Sequence, residues 1–550
     1  MKISKDYKSI FQSIGSSTQS NLDKYINIER EEYGLSLRKK KMNNYLMDKR
    51  EKNLDINLIK KCPYEIQIEK LDISDELKNK QYNSPSLFTD EMKILLDSKN
   101  INEVKFAINK IRLLTITKDI SIDYINEMYK RNITDKLMFV LYNYINDYEI
   151  IYEVTWIIIN FVTKISNINL VIFLTQNTCF QMYIKILDLN NDYLTENVLW
   201  LLYNSIINNN PIIENLFFSV IPRNYIVKYC ENSEVKLNLI KLCVGILYNI
   251  SSLLSKIHEL FDINDLNNNF FKRHSEVSID NIKENIYYLE EHISNIFIRF
   301  LETNDQDIID NCLLGLTYLA NISNKKIHQL LFSSGLIRKI ITNKITYNKY
   351  LSQKILQLIG NFLSNFEEIL DPIIQNEINL YLSNFIKSSG MFKRDALWSF
   401  SNFISCEKIN LENIVNSGII PEIINSLIKD EIPISRECLF IIDAIVINQD
   451  FNIEIIINFI KNCNLIKLLI NVIEKFYEDS ESIIKILEIF LSLFEIGQKY
   501  SNLNEGKNCY LEEFKRCGGN TYIEKLQGYN NNEVYKLNES IINTFFNFDS

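Results

Sequence analysis

Glycine and proline are scarce in this chain, with 13 and 7 among 550 residues. An all-β protein turns its strands on these residues, so their shortage points to long helices joined by few turns. Histidine is rarer still, at positions 258, 274, 292 and 328 only. The ten cysteines (Cys62, Cys179, Cys230, Cys243, Cys312, Cys406, Cys438, Cys463, Cys509 and Cys517) fall singly. Without a C-x-x-C pair there is no metal-ligand spacing, and buried reduced thiols are expected. No phosphate-binding loop or nucleophile–base set is visible, so an enzyme is the least expected class and no cofactor is implied. No uninterrupted apolar run reaches the roughly 18 to 20 residues of a membrane span, and Met1-Lys-Ile-Ser-Lys-Asp6 lacks a signal-peptide core. A soluble, intracellular protein that does not bind membranes is expected. A basic excess is missing as well: the formal net charge of −9 opposes a general nucleic-acid binder and suits basic peptides.

What the chain does have is apolar mass, 46% of residues, with 31 Phe and 30 Tyr to build a core of large side chains. Its three tryptophans stand four residues before an asparagine, as Trp156 and Asn160, Trp200 and Asn204, Trp398 and Asn402. Positions i and i+4 share a helix face, so one indole-plus-amide pair is presented three times. Apolar segments that have lost the indole continue the register through Asn249, Tyr318, Asn361 and Asp443, in steps of 44, 45, 69, 43, 41 and 41. Ser334-Gly335-Leu336 and Ser417-Gly418-Ile419 read as points where glycine ends one helix before the next begins. A helical repeat of 41 to 45 residues has the armadillo/HEAT size, and the spacing predicts an all-α solenoid of about ten repeats over 85–548, after a linker at 61–84. The step of 69 places a polar insertion near 256–286, where Asn267-Asn-Asn269 reads as a surface loop.

A Trp on an apolar helix is often core, and an Asn there can bond a neighbouring loop. The recurrence of the pair supports a second reading. An Asn amide both donates and accepts, so a ladder of them can hold the main chain of an extended peptide. Indoles between the rungs make slots for alkyl stems and attract cationic heads. Glu153, Glu196 and Asp395, three or four residues before each Trp, supply the negative charge that selects Lys or Arg.

Residues 1–60 differ in kind. Within 28–52, Leu35, Leu37, Tyr45 and Leu46 interleave with Arg38, Lys39, Lys41, Lys49 and Arg50, as in a basic amphipathic helix. It reads as a solvated face, a membrane-surface helix or a ligand for an acidic groove. The weak apolar stripe opposes the membrane.

Leu35-Ser-Leu-Arg-Lys-Lys-Lys41 with the later Lys49-Arg50 resembles the importin-β-binding segment of the importin α family. Tyr152 to Asn160, Glu196 to Asn204, Cys312 to Tyr318, Gln357 to Asn361, Arg394 to Asn402 and Asn508 to Gln527 are similar, in order, to that family's armadillo repeats. The resemblance implies a right-handed armadillo superhelix acting as a nuclear import adaptor, shuttling between cytoplasm and nucleus. It implies a first cargo site of Glu153, Trp156, Asn160, Glu196, Trp200, Asn204, Asn208 and Asn249, and a second of Tyr318, Gln357, Asn361, Asp395, Trp398 and Asn402. It implies importin β binding through Arg30, Leu35, Leu37, Arg38, Lys39, Lys41, Leu46, Lys49 and Arg50. Its partners would be importin β, cargoes with Lys/Arg-rich localisation signals and a nuclear export receptor.

Departures from the family thin both sites. Gly245 stands where a third Trp is expected, and Asn208 where the family usually places an Asp. Leu439 and Asp443 replace Trp and Asn, Arg436 takes a position usually acidic, and Gln357 replaces a usual Arg. Asp48 before Lys49-Arg50 implies weak self-competition for the cargo site, and the tail Phe545 to Ser550 lacks an acidic run. An armadillo scaffold with other protein partners is the alternative reading.

Overall fold

The computed structural model describes residues 62–80, 82, 84–116, 122–164, 177–206, 223–232, 234–260, 279–322, 324–342, 349–364, 370–406, 409–447, 453–499 and 507–546. The basic N-terminal segment, with Arg30, Leu35, Leu37, Arg38, Lys39, Lys41, Leu46, Lys49 and Arg50, lies outside them, as does Asn208. Among the described residues every regular element is a helix.

Local chemistry sets the helix ends. Ser84 accepts a hydrogen bond from the Leu87 amide just ahead of Pro85, and Asp371 accepts one from Ile373 just ahead of Pro372. In both, a side-chain oxygen satisfies an orphan donor and proline supplies a helical φ without a wasted N–H. The expected glycine stops are present: Lys325–Ser333 and Leu411–Asn416 end before Gly335 and Gly418, whose φ values are +69° and +76°. A side chain at either position would have a left-handed backbone to adopt, although nothing lies within 4 Å of the missing Cβ.

Ten long repeat helices organise the described residues: α1 (Ile101–Ile116), α2 (Tyr148–Lys164), α3 (Asp192–Ile206), α4 (Leu237–Leu260), α5 (Gln306–Ala320), α6 (Lys349–Ser364), α7 (Met391–Ile404), α8 (Ile432–Ile447), α9 (Ser480–Lys499) and α10 (Asn532–Phe545). The chain forms two compact units, divided within α4 after Asn249. In the first, α1, α2 and α3 pack in series; in the second, α5 through α10 do so. Further helices, such as Pro372–Ile386 beside α7 and Ile420–Lys429 beside α8, pack against these. This is an armadillo-type stack of helical repeats, and large side chains fill it as expected: Phe106, Phe161, Phe297, Phe362, Phe400 and Phe490 are all shut off from solvent.

Neighbouring repeats are also tied by polar side chains. Lys475 donates to the carbonyls of Leu427 (2.9 Å) and Asp430 (2.6 Å), and so closes the C-terminal end of Ile420–Lys429 from the following repeat.

At both ends of the stretch expected to hold a polar insertion the described residues are helical, while Asn267-Asn-Asn269, read as a surface loop, lies outside them. Residues 256–260 extend α4, and 279–286 open the helix Ile279–Phe300; 261–278 lie outside the described residues. Mixed charge hid a helical stripe, since Ile286, Leu289, Ile293 and Phe297 are all buried. The two helices meet at His258 Nε2 and Glu290 Oε1, 2.6 Å apart, and Asn324 donates to the other Glu290 oxygen at 2.7 Å. Over Leu237–His258, α4 is long and apolar enough to cross a membrane, yet most of that stretch is buried inside the protein, as in a core helix. Of the ten free thiols seven are buried, Cys463 and Cys517 are half-buried, and Cys509 is exposed.

Replacing Gly418 by Val should lower the unfolding free energy by about 1 to 2 kcal/mol, because the strain is conformational. In denaturant titration the midpoint should fall and the slope stay unchanged.

Candidate peptide-binding site

The first unit holds its polar residues more tightly than an open receptor would. On α2, Trp156 is half-buried, with the Tyr152 ring 5.6 Å from it at 41°. Asn160 is fully buried, and its Nδ2 donates to Thr115 Oγ1 of α1 at 3.0 Å. On α3, Trp200 keeps only 3% of its surface exposed, with Tyr203 edge-on at 6.1 Å. The expected slot between open indoles is therefore absent at Trp200, which serves as core. Asn204 and Asn249 are buried too, each with an Nδ2 that has no hydrogen-bond partner. Such a donor costs about 1–3 kcal/mol unless something arrives to accept from it.

Glu153 was expected to face a ligand cation, and it does not. Its side chain is fully buried, its Oε2 is 2.5 Å from Arg112 Nε of α1, and its Oε1 accepts from the Ile66 amide at 3.0 Å. Burial pushes its carboxyl up to about 7, against the pull of the Arg112 charge and the Ile66 N–H. The residue three before Trp200 is Asn197, not Glu196; it is buried and donates to the Tyr152 carbonyl (3.2 Å) and Thr155 Oγ1 (3.0 Å). Glu196 itself is half-buried.

The partner of Glu153 belongs to a segment that the sequence presented as linker. Cys62, Ile66 and Leu71 are buried against the first repeats. The Ile66 carbonyl accepts from Asn109 Nδ2 of α1 at 3.1 Å. The Tyr64 ring lies edge-on to Tyr148 (5.4 Å) and Tyr193 (6.0 Å), and its hydroxyl accepts from Asn191 at 2.8 Å. An amide and a carboxylate thus hold both main-chain groups of one residue of a strap crossing α1, α2 and α3. One signal for this was present: Asn109 stands 44 residues before Glu153, in the same register.

In the second unit the second-site residues come together on α5, α6 and α7. Asn361 Nδ2 donates to the Thr317 carbonyl of α5 (3.1 Å), and Asn402 Nδ2 to the Gly360 carbonyl of α6 (3.2 Å). Ser399 Oγ adds a bond to the Leu356 carbonyl at 2.7 Å. Trp398 lies directly on Gly360, where a Cβ would come within 2.1 Å of indole Cζ3. Only glycine lets the ring rest on bare backbone and remain half-exposed. One helical turn away, Asp395 is half-buried with an Oδ2 that has no hydrogen-bond partner. Burial raises its carboxyl, while Gln353 and Gln357 stabilise its ionised form. Gln357 also accepts from Lys354 Nζ at 3.0 Å, and Tyr318 is half-buried on α5. A carboxylate oxygen, an indole face and side-chain amides therefore converge on one half-open surface. Beyond it, Leu439 of α8 is fully buried.

These features define an all-α, armadillo-type repeat protein with a polar and aromatic face on α5 to α7. Among curated proteins the chain is 24% identical to importin subunit alpha-1a of Oryza sativa subsp. japonica over 132 residues, covering 23% of this chain and 24% of that one. It is 21% identical to importin subunit alpha-4 of Arabidopsis thaliana over 258 residues, covering 46% of each. The matches thus span between about a quarter and about half the length of those relatives. No protein-family model matches. Among solved structures, an engineered protein of the Northeast Structural Genomics Consortium shares the fold, with a TM-score of 0.58 at 13% identity, covering 83% of this chain and 98% of that one.

The buried Glu153 generates a pH test. Folding raises its proton affinity, so the folded chain keeps a proton that the unfolded chain releases. Its effect is to lower stability as pH climbs from about 4.5, the ordinary carboxyl value, to about 7. Relative to the parent, Glu153→Gln should gain unfolding free energy across that window and level off above it, in urea titrations from pH 5 to 8.

Proposed function

We propose that this protein is a receptor for Lys/Arg-rich peptide segments, of the nuclear import adaptor kind, with its working cargo site on α6 and α7. The observation that carries this reading is the group of Asp395, Trp398 and Asn402. The first gives a carboxylate oxygen without a partner, the second a half-exposed ring on Gly360, and the third an amide with one donor and its oxygen left over. A lysine stem fits along such a ring while its ammonium reaches the carboxylate, and the amide takes the peptide backbone. The distant likeness to importin α subunits supports the adaptor role, in which the basic segment at 1–60 engages importin β and a localisation signal occupies the repeats.

A second reading has its own support in the first unit. Trp200 is shut in and Glu153 is engaged by Arg112 and the strap, so α2 and α3 lack the paired open indoles of a cation site, and the acid expected beside Trp156 is taken. On that reading the protein is an armadillo scaffold for other protein partners.

Fluorescence anisotropy with a labelled Lys/Arg-rich localisation-signal peptide, together with an importin β pull-down, separates the two. The adaptor reading expects Trp398→Ala to weaken peptide binding by about 3- to 30-fold, the range of a cation–π contact. It expects Arg38→Glu to abolish importin β capture without changing peptide affinity, and removal of residues 1–60 to leave that affinity nearly unchanged. Failure to bind either partner would leave the scaffold reading.

A further inference from the structure

The register that defines the peptide face continues onto α8 with its charge reversed. Arg436, Leu439 and Asp443 stand 41 residues after Asp395, Trp398 and Asn402. None of the three is available to a ligand as it stands. Leu439 is core. The buried Arg436 guanidinium gives Nε (3.1 Å) and Nη2 (2.9 Å) to Asp479 Oδ2 and Nη1 (2.9 Å) to Glu481, both beside α9 or on it. At Asp443, Lys485 of α9 brings its ammonium to 2.9 Å from Oδ2 and 2.6 Å from Glu488 Oε2, while sitting 5.2 Å from the centre of the Phe440 ring.

This second arrangement is a lysine site in its own right. An aromatic ring beside a carboxylate is the chemistry by which the Trp398 face would hold a ligand lysine, and here a second carboxylate joins them around one ammonium. Here the occupant comes from the next helix of the same chain. The Lys485 side chain remains about one-fifth exposed, so the cage lies near the surface, and Asp443 Oδ1 is buried without a hydrogen-bond partner.

We propose that Phe440, Asp443 and Glu488 form a lysine-binding cage that Lys485 fills in cis, so that Lys485 sets where a basic peptide bound on α6 and α7 must stop. The inference rests on the basic-peptide reading of that face. With Lys485 in place, a longer cationic peptide gains nothing from α8, because the acid it would meet is already neutralised. Without Lys485, the cage is open to one more ligand cation.

The test compares labelled alternating Lys-Arg peptides of four and eight residues on the full-length protein and on Lys485→Ala. The parent should bind both with similar affinity. Lys485→Ala should bind the longer one about tenfold tighter and the shorter one unchanged, and Lys485→Ala with Asp443→Asn should lose that gain. An unchanged ratio in Lys485→Ala would overturn the proposal. Should the alanine variant fail to fold, Lys485→Gln, which keeps a donor for Asp443, should still favour the longer peptide by at least about threefold, and no gain there would overturn it equally. If the parent binds neither peptide, the basic-peptide reading itself falls, and the limit falls with it.

Discussion

Successive repeat helices are held in register by a side chain of one donating to the backbone or hydroxyl of the helix before it, and the rest of the structure depends on that lateral bond. Asn361 reaches the Thr317 carbonyl, Asn402 the Gly360 carbonyl, Ser399 the Leu356 carbonyl, and Asn197 the Tyr152 carbonyl. Apolar packing supplies most of the stability but is tolerant of sliding along the helix axis. A directional bond of about 1 kcal/mol is not. Repeated between α1 and α2, α2 and α3, α5 and α6, and α6 and α7, it sets the offset between those helices and hence which side chains meet on the shared face.

This constraint changes what the asparagines mean. Asn361 and Asn402 each use one N–H to stack the array, so part of each amide is committed to the fold before any ligand arrives. An asparagine ladder is therefore demanded by the fold as well as offered to a ligand. The balance differs between units. In the first, Asn160 and Asn197 are wholly buried in such ties, and the strap at Ile66 takes Glu153 and Asn109. In the second, the amides sit at a half-open surface beside Trp398.

Charge follows the same logic. Three residues before Trp156, Trp200, Trp398 and Leu439 stand Glu153, Asn197, Asp395 and Arg436. Glu153 pairs with Arg112 within the first unit, and Arg436 with Asp479 and Glu481 within the second. A buried ion so paired is satisfied and has little to offer a ligand. Asp395 is half-buried and keeps an oxygen without a hydrogen-bond partner, whereas the carboxylate of Glu153 is shut in against Arg112. The proposed peptide site thus falls where this internal pairing stops.

The period of 41 to 45 residues, the all-α class, the glycine stops at Gly335 and Gly418 and the companionship of Asp395, Trp398 and Asn402 on one face were determined by the sequence itself, because they follow from spacing along a helix. Other features were decided only by the tertiary structure. Trp200 and Trp398 occupy the same register, yet one is core and the other half-open, since burial depends on the packing around a residue and not on its spacing along the helix. Mixed charge at 279–293 concealed a helix whose apolar stripe shows its purpose only once a partner surface exists. Residues 62–71 carried no periodic signal of their own, and their place across α1 to α3 arises from side chains up to 127 positions away. The spacing of Trp and Asn could announce a peptide face, but which acids stay open for a ligand depends on which cations the fold brings to them first.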